Sequence, residues 1–441
     1  MRTTDVIVSG RRASMQEKKS VENMNESTMQ KRADDIIKQP LRMLNATVGK
    51  PFETKFDFKS LGWEDIVAYQ FYGLEDTGLA YDAKTGQLTG TPTRSGDIRF
   101  SFRFRLNNEP EGAPFAEKWL TIIINPDPKS LWKNLPSDPA DPYWKEDDVT
   151  LLAPIGSRHL LVSCERGRAH ANVGSFREDD FAYTDLPNGW SLVVVGDGAG
   201  SAKFSRKGSV IACQGIADHF LQKASIERME EFDVLLDEYD RQQDQALHRK
   251  LNLLVYNNLG KAVFEVHKKL ETFAAETGMT LKDLSSTLVF ALFKKHKAGY
   301  VLLSFGVGDC PMAVINKDFS AVTNLNWIDV GEFGGGTRFI TMPEIFSSDK
   351  FASRFSFHIV DDFSYLVLMS DGIYDPKFVV EDNLPDISKW KAFFADLRGE
   401  NEDKASVTLS ADNPEIVAQL SRWMDFWSIG NHDDRTLAIV F

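Results

Sequence analysis

The sequence predicts an α+β architecture preceded by a small all-β module, and three observations lead there. Residues 41–125 carry short alternating strands broken by Gly, Pro, Asn and Asp, with no helical period. From residue 151 onward strand-like runs come first, two long helical patterns interrupt them, and adjacent strands close the chain. That order favours α+β over a doubly wound parallel sheet, in which strand and helix would alternate throughout.

The 441 residues, 42% hydrophobic and 26% charged, suffice for two or three domains with separate cores. A net charge of -13 argues against a nucleic-acid partner, because phosphate binding needs clustered Lys and Arg. The same surplus suits a protein that gathers carboxylates around cations, and it also serves plain solubility. Cys164, Cys213 and Cys310 are widely spaced and form no CxxC or CxxH pattern, so they read as reduced core residues rather than disulfide or zinc ligands. "MRTTDVIVSGRRASMQEKKS" lacks the apolar stretch of a signal peptide, and no run approaches the ~20 residues of a membrane span. The expectation is a cytoplasmic protein with no membrane partner.

Residues 1–40 are polar and aperiodic, and read as a polar tail, mobile or forming a short docking helix. In 41–125 the clearest part is "YDAKTGQLTGTPTRSGDIRFSFRFRL": "KTGQ" and "GTPTRSG" turn the chain, and "IRFSFRFRL" alternates as a half-buried strand does. Gly78, Leu79, Tyr81, Asp82, Thr85, Gly86 and the "GTPT" of Gly90–Thr93 with Gly96 resemble the immunoglobulin-like modules of bacterial proteins. That resemblance implies a β-sandwich spacer and says little about function. Residues 126–150 are rich in Pro and Asp and read as a linker, with two Trp residues that suggest partial docking.

Residues 151–441 form the remaining domain. "HLLVSCE", "WSLVVVGD", "STLVFALF", "YVLLSFGVGD", "PMAVIN", "RFSFHIV", "YLVLMSDG" and "TLAIVF" are its strands. Its helices are Ser205–Ala224, with Val210, Cys213, Ala217 and Phe220 on one face, and Leu251–Phe273, with Leu254, Leu259, Val263, Val266 and Leu270 on one face.

The acids fall where apolar strands emerge. Asp197 ends "LVVVGD", Asp309 ends "LLSFGVGD", Asp371 ends "YLVLMSD", and Asp433 precedes the closing strand. One Asp beside Gly at a strand end is usually a turn-former. Several in one domain point to hard cations, because isolated buried carboxylates cost several kcal/mol each without compensation, and all-oxygen donors select Mg²⁺, Mn²⁺ or Ca²⁺. Asp197 is placed to bridge two such ions and so to activate a water for in-line attack on a phosphoryl group. Gly198 leaves room for its own carbonyl to approach an ion.

"HANVGSFREDDF", "DGAGSAKFSRKG", "SSTL", "VGDC", "GEFGGGTRFIT", "SDGIYD" and "DDRTLAIV" follow in the order found in the metal-dependent protein phosphatases. Residues 155–441 resemble the protein phosphatase 2C family, its bacterial branch in particular. The resemblance implies a β-sandwich of two antiparallel sheets flanked by helices. It also implies Mn²⁺- or Mg²⁺-dependent hydrolysis of phosphoserine and phosphothreonine in proteins, with a Ser/Thr kinase as one candidate substrate. By that resemblance Asp197 bridges two metals and the Gly198 carbonyl binds one of them. Asp371 and Asp433 complete the ligands of the first ion, Glu178 and Asp179 hold the second ion, partly through waters, and Asp309 and Asp375 fit a third, looser ion. Asp434 reads as a solvated or turn acid.

The sequence also departs from the pattern. Gly174 stands where many relatives carry a phosphate-gripping Arg, and Ala199 where eukaryotic relatives carry a His. His170 is the candidate replacement for phosphate contact and proton donation, with Arg166, Arg168 and Arg177 nearby as guanidinium partners for phosphate. The competing readings are an inactive phosphoprotein-binding module of the same fold, and a nucleotide-binding protein using "GDGAG". The first would lack metal acids, yet each core position is filled, and the second lacks a Walker Lys and the G-x-G-x-x-G spacing.

Overall fold

The computed structural model describes residues 27–441 apart from 84, 108, 110, 111, 298 and 330–335. The chain divides into two compact units, Met1–Trp132 and Lys133–Phe441. In the first, helix α1 (27–38) precedes β1 (Ala46–Thr47), β2 (Phe52–Lys55), β3 (Ile66–Tyr72), β4 (Leu79–Asp82), β5 (Gln87–Gly90), β6 (Gly96–Leu106) and β7 (Ala116–Asn125). They form sheets ordered β1-β7-β6-β3 and β2-β5-β4. Alternation in β6 sends Phe100, Phe102 and Phe104 into a core shared with Trp63, Leu79 and Leu88. The described part of the polar stretch is therefore structured: Ala33 and Ile36 of α1 are buried in this core. The buried Lys118 ammonium donates to the carbonyls of Ile36, Ile37 and Gln39 at the helix's C-terminal end.

The second unit opens with β8 (Asp148–Ile155), β9 (Arg158–Glu165), α2 (Arg168–Val173), β10 (Asp180–Asp185) and β11 (Ser191–Gly196). Helices α3 (Ser205–Leu221), α4 (Lys223–Gln242) and α5 (Gln245–Thr277) follow. Then come β12 (Leu288–His296), β13 (Gly299–Val307), β14 (Met312–Asn316), β15 (Val322–Asn324), α6 (Glu344–Ser347), β16 (Phe355–Val360) and β17 (Phe363–Met369). α7 (Asp371–Phe378), α8 (Ile387–Leu397), α9 (Ile416–Met424) and β18 (Arg435–Val440) close the chain. The sheets are ordered β10-β11-β12-β13-β16 and β15-β14-β17-β18-β9-β8, antiparallel throughout.

The continuous apolar strands are explained by burial on both faces. Val193, Val195, Val289 and Leu302 meet Leu160, Val162, Leu366 and Leu368 between the sheets. One residue along, Leu192, Val194, Phe290 and Leu303 face α3, α4 and α5. On the other sheet Val367, Met369, Leu437 and Ile439 pack beneath α8 and α9. The result is a helix–sheet–sheet–helix stack. The predicted strands form, and both predicted helices form with moved ends, α5 extending from Gln245 to Thr277. The sequence reading omitted α4, α8 and α9. α4 is rich in acids, yet Met229, Phe232 and Leu236 form a buried stripe on it.

The predicted linker changes character at residue 133. Its second half lies in the C-terminal unit, where Leu135 N–H donates to the Ala171 carbonyl and Trp144 Nε1 to Ser137 Oγ.

α7, which carries Asp371 and Asp375, rests on α8 through Phe378 and Trp390, whose ring centroids are 4.7 Å apart. Trp390 is fully buried and donates to the Leu384 carbonyl. Trp390→Ala is expected to destabilise this unit by about 3–5 kcal/mol in denaturant unfolding; a loss under ~1 kcal/mol would contradict this packing.

Candidate metal centre

The strand register brings the predicted acids to one end of the sandwich. β11 ends where Gly196 pairs with Asp180, and β12 begins where Leu288 pairs with Val307 at the end of β13. In the other sheet β17 ends where Met369 pairs with Leu437, and Arg435 at the start of β18 pairs with Glu165 at the end of β9. Asp197, Asp309, Asp371 and Asp433 therefore leave the two sheets at neighbouring strand ends.

Each acid is fixed by its own local structure. Asp197 N–H donates to Thr287 Oγ1 at 2.9 Å, and Thr287 N–H returns a bond to the Asp197 carbonyl at 2.8 Å, which gives the "SSTL" segment its role. Asp371 begins α7, and Asp375 lies one turn on, on the same helix face. Glu178 and Asp179 come from the loop between α2 and β10; Asp179 Oδ2 accepts from Thr436 Oγ1 at 2.8 Å. Gly198 is required here because a Cβ would lie 2.6 Å from the Glu178 carbonyl oxygen, and Gly372 because a Cβ would lie 1.9 Å from that of Asp434. The expected open space at Gly198 is thus also a packing need.

The carboxyls act on one another. Burial raises Asp197 well above the usual carboxylate range, with further pushes from Asp371, Asp179, Asp309 and Asp433. Asp371 is raised well above its ordinary value by burial and then by Asp433, Asp309, Asp179 and Asp375. Burial, with the Asp434 charge second, lifts Asp179 to about 7. Burial lifts Glu178 to about 7 against the pull of His170. Asp309 and Asp375 are raised by burial, and Asp375 also by Asp309. Asp433 sits at the rim, open to solvent on one side, and burial of the other side with the neighbouring Asp434 raises it.

Asp434 corrects the sequence reading. It is 1% exposed rather than solvated. Its Oδ1 accepts from Gly167 N–H at 2.6 Å and His170 Nδ1 at 2.9 Å, and its Oδ2 from the N–H groups of Glu178 and Asp179. Burial alone would raise it, but these donors outweigh burial and hold it below the ordinary value. It ties the loop that carries Glu178 and Asp179 to the start of β18. The pair "DD" before a buried strand held a signal, since neighbouring strand residues point to opposite sides and one must turn inward.

Arg177 is the second correction. At 3% exposure its guanidinium donates to the Glu146 carbonyl, the Asp179 carbonyl and Cys164 Sγ, so it is closed to a substrate phosphate. Arg166 is likewise engaged, with Asp147, Ser175 and Leu135. Arg168 pairs with Asp425. His170 stays beside the acids, its Nε2 3.8 Å from Glu178 Oε2. Burial opposes its charge, but the bond to Asp434 and the charges of Asp434 and Glu178 raise it to about 9. Gly174 caps α2 in a left-handed conformation at φ 71°. Thr337 Oγ1 donates to Asp309 Oδ2 at 2.6 Å, a contact that sequence reasoning did not single out; residues 331–335 of the "GEFGGGTRFIT" segment lie outside the described residues.

Divalent cations fit this donor set. Asp309 Oδ1, Asp371 Oδ1 and Glu178 Oε2 are buried with no hydrogen-bond partner. Asp197, Asp309 and Cys310 present ligand atoms within 4.8 Å of one another, as do His170, Asp433 and Asp434. Cys310 is fully buried and its thiol is pushed far up by desolvation, and Asp434 is saturated, so the free carboxylate oxygens of Asp197, Asp309 and Asp433 are the hard donors.

The chain aligns with solved phosphatase structures. A serine/threonine phosphatase from Staphylococcus aureus aligns at 15% identity over 66% of this chain and 96% of its own, with a TM-score of 0.37. The S. agalactiae serine/threonine phosphatase aligns at 13% identity over 67% and 99%, with a TM-score of 0.36. The catalytic domain of the phosphatase PstP, solved with two manganese ions, aligns at 14% identity over 66% and 98%, also at 0.36. No curated protein matches the chain. The sequence pattern of the family described as protein phosphatase 2C matches residues 166–424, a stretch that includes Glu178, Asp197, Asp309 and Asp371. That match spans more than half of the 441 residues, and the chain belongs to the protein phosphatase 2C family of protein-serine/threonine phosphatases.

Proposed function

We propose that this protein hydrolyses phosphoserine and phosphothreonine in protein substrates, using Mn²⁺ or Mg²⁺ held by the acids at the end of the sandwich. The observation that carries this reading is that Asp309 and Asp371 lie close enough to Asp197 to act on its carboxyl, and that each has a buried oxygen that no hydrogen bond satisfies. Asp197 is the proposed bridge between two ions, with the Gly198 carbonyl, Asp371 and Asp433 around the first and Glu178 and Asp179 around the second. Asp309 and Asp375 are the proposed holders of a third. Bound there, the ions would make a water acidic enough to attack phosphorus at neutral pH and would neutralise charge on the phosphoryl oxygens.

The chain's own groups then have distinct tasks. Asp434 fixes the imidazole of His170 through Nδ1 and leaves Nε2 as the free donor. His170, which the bond to Asp434 raises to about 9 against the effect of burial, is the proposed cation for the substrate phosphate and proton donor to the departing serine or threonine oxygen. Arg177 positions the loop and does not bind phosphate. Among the described residues no helix is long and apolar enough to cross a membrane. The N-terminal β unit is read as an immunoglobulin-like module that presents substrates or tethers the phosphatase.

The test is hydrolysis of p-nitrophenyl phosphate and a phosphothreonine peptide with and without Mn²⁺. Turnover is expected only with metal, and Asp197→Ala and Asp371→Ala are each expected to lower kcat by at least about 10²–10³-fold. Metal-independent turnover, or full activity in either variant, would refute the reading. Arg177→Met is expected to lose about 3–5 kcal/mol of stability by denaturant unfolding, because it leaves buried acceptors unpaired. A variant of unchanged stability whose KM alone rises would return Arg177 to the phosphate site.

A further inference from the structure

Residues 133–147 read in sequence as a Pro- and Asp-rich spacer, yet they are fastened to the elements around the loop that carries Glu178 and Asp179. Lys133 N–H donates to Asn172 Oδ1, and Arg166 holds Asp147 at 3.1 Å. Arg206 Nη2 reaches Asp141 Oδ2 at 2.9 Å. The Tyr143 ring packs edge-on against Phe204 and Phe273. An ordinary linker would be solvated along most of its length.

The end of this strap delivers a lysine. Lys145 Nζ, on a side chain only 12% exposed, donates to the Asp179 carbonyl at 2.6 Å and lies 3.4 Å from Ser209 Oγ and 3.7 Å from Asp180 Oδ2. The same carbonyl accepts from Arg177 Nη1 at 2.8 Å, and Arg177 Nε is held by the Glu146 carbonyl, the next residue of the strap. Ser209 Oγ in turn donates to the Glu178 carbonyl. Two donors from outside the loop, Lys145 and Ser209, and Arg177 within it therefore fix the peptide groups of Glu178 and Asp179.

We propose that Lys145 is a positioning residue for the metal centre: the strap supplies it to lock the Asp179 carbonyl, and so to aim the Glu178 and Asp179 carboxylates. The inference rests on the metal-dependent reading above. The alternative is that Lys145 acts through space by its charge, and the two routes predict opposite signs. A nearby cation repels a metal ion, so by charge alone its removal would tighten metal binding. Acting through the backbone, its removal loosens two ligands and weakens binding.

The experiment is Mn²⁺ titration of the substrate-free full chain by calorimetry, on wild type, Lys145→Met and Lys145→Arg, with circular dichroism to establish that each is folded. Lys145→Met is expected to bind Mn²⁺ about tenfold more weakly or worse, the usual effect of losing a group that orients a ligand, and Lys145→Arg to recover most of the affinity. Unchanged or tighter binding in folded Lys145→Met overturns the proposal. If Lys145→Met does not fold, Lys145→Ala, which likewise lacks a donor, is read by the same criterion. Wild-type protein that binds no Mn²⁺ overturns the underlying metal-dependent reading instead, so the two failures are distinguishable.

Discussion

The mutual repulsion of carboxylates gathered at one end of a dry sandwich is the constraint on which the rest of this structure depends. Two unit charges 4 Å apart interact by about 4 kcal/mol at an effective dielectric of 20. Asp197, Asp371, Asp309 and Asp179 are each raised above the ordinary range by burial, and Asp197, Asp371 and Asp179 also by neighbouring acids. A fold built only for stability would replace such a cluster with apolar side chains. The antiparallel register of two sheets instead brings the strand ends together, and apolar contacts on both faces of each sheet hold them there.

Within that cluster, neighbours in sequence have opposite roles. Asp433 stays at the rim with a raised carboxyl and is available to a cation. Asp434 turns inward, collects donors from Gly167, His170, Glu178 and Asp179, and becomes part of the scaffold. The distinction is one of hydrogen-bond saturation. A carboxylate that accepts several N–H groups is stable as an anion without metal, whereas Asp371 Oδ1 and Asp309 Oδ1 have no such donor. The basic side chains follow the same division: Arg177 and Lys145 serve main-chain carbonyls behind the site, and the His170 imidazole lies beside the acids.

Much of this was legible in the sequence because strands buried on both faces leave an unbroken apolar run, and an Asp ending such a run stands out. "LVVVGD" and "YLVLMSD" located Asp197 and Asp371, and the glycines beside them marked close backbone approach. What was not legible depends on which way a side chain turns. Asp433 and Asp434 are identical in type and adjacent, and only the donors that tertiary structure brings to Asp434 separate them. Arg177 looked like a phosphate ligand because it precedes the acids, but its neighbours Glu146 and Cys164 are brought to it by tertiary contact. The strap was hidden by its composition: Pro and Asp mark a chain without regular structure, and carry no sign that its Lys145 is tied to the Asp179 carbonyl.

The proposed role of Asp197 is to join two cations at the end of the sandwich. Electron paramagnetic resonance of the Mn²⁺-loaded protein tests it most directly, because two ions sharing a bridging carboxylate couple their spins. The account predicts an exchange-coupled pair in wild type that Asp197→Ala converts to isolated Mn²⁺. Isolated Mn²⁺ alone in wild type, or a coupled pair that survives Asp197→Ala, would contradict it.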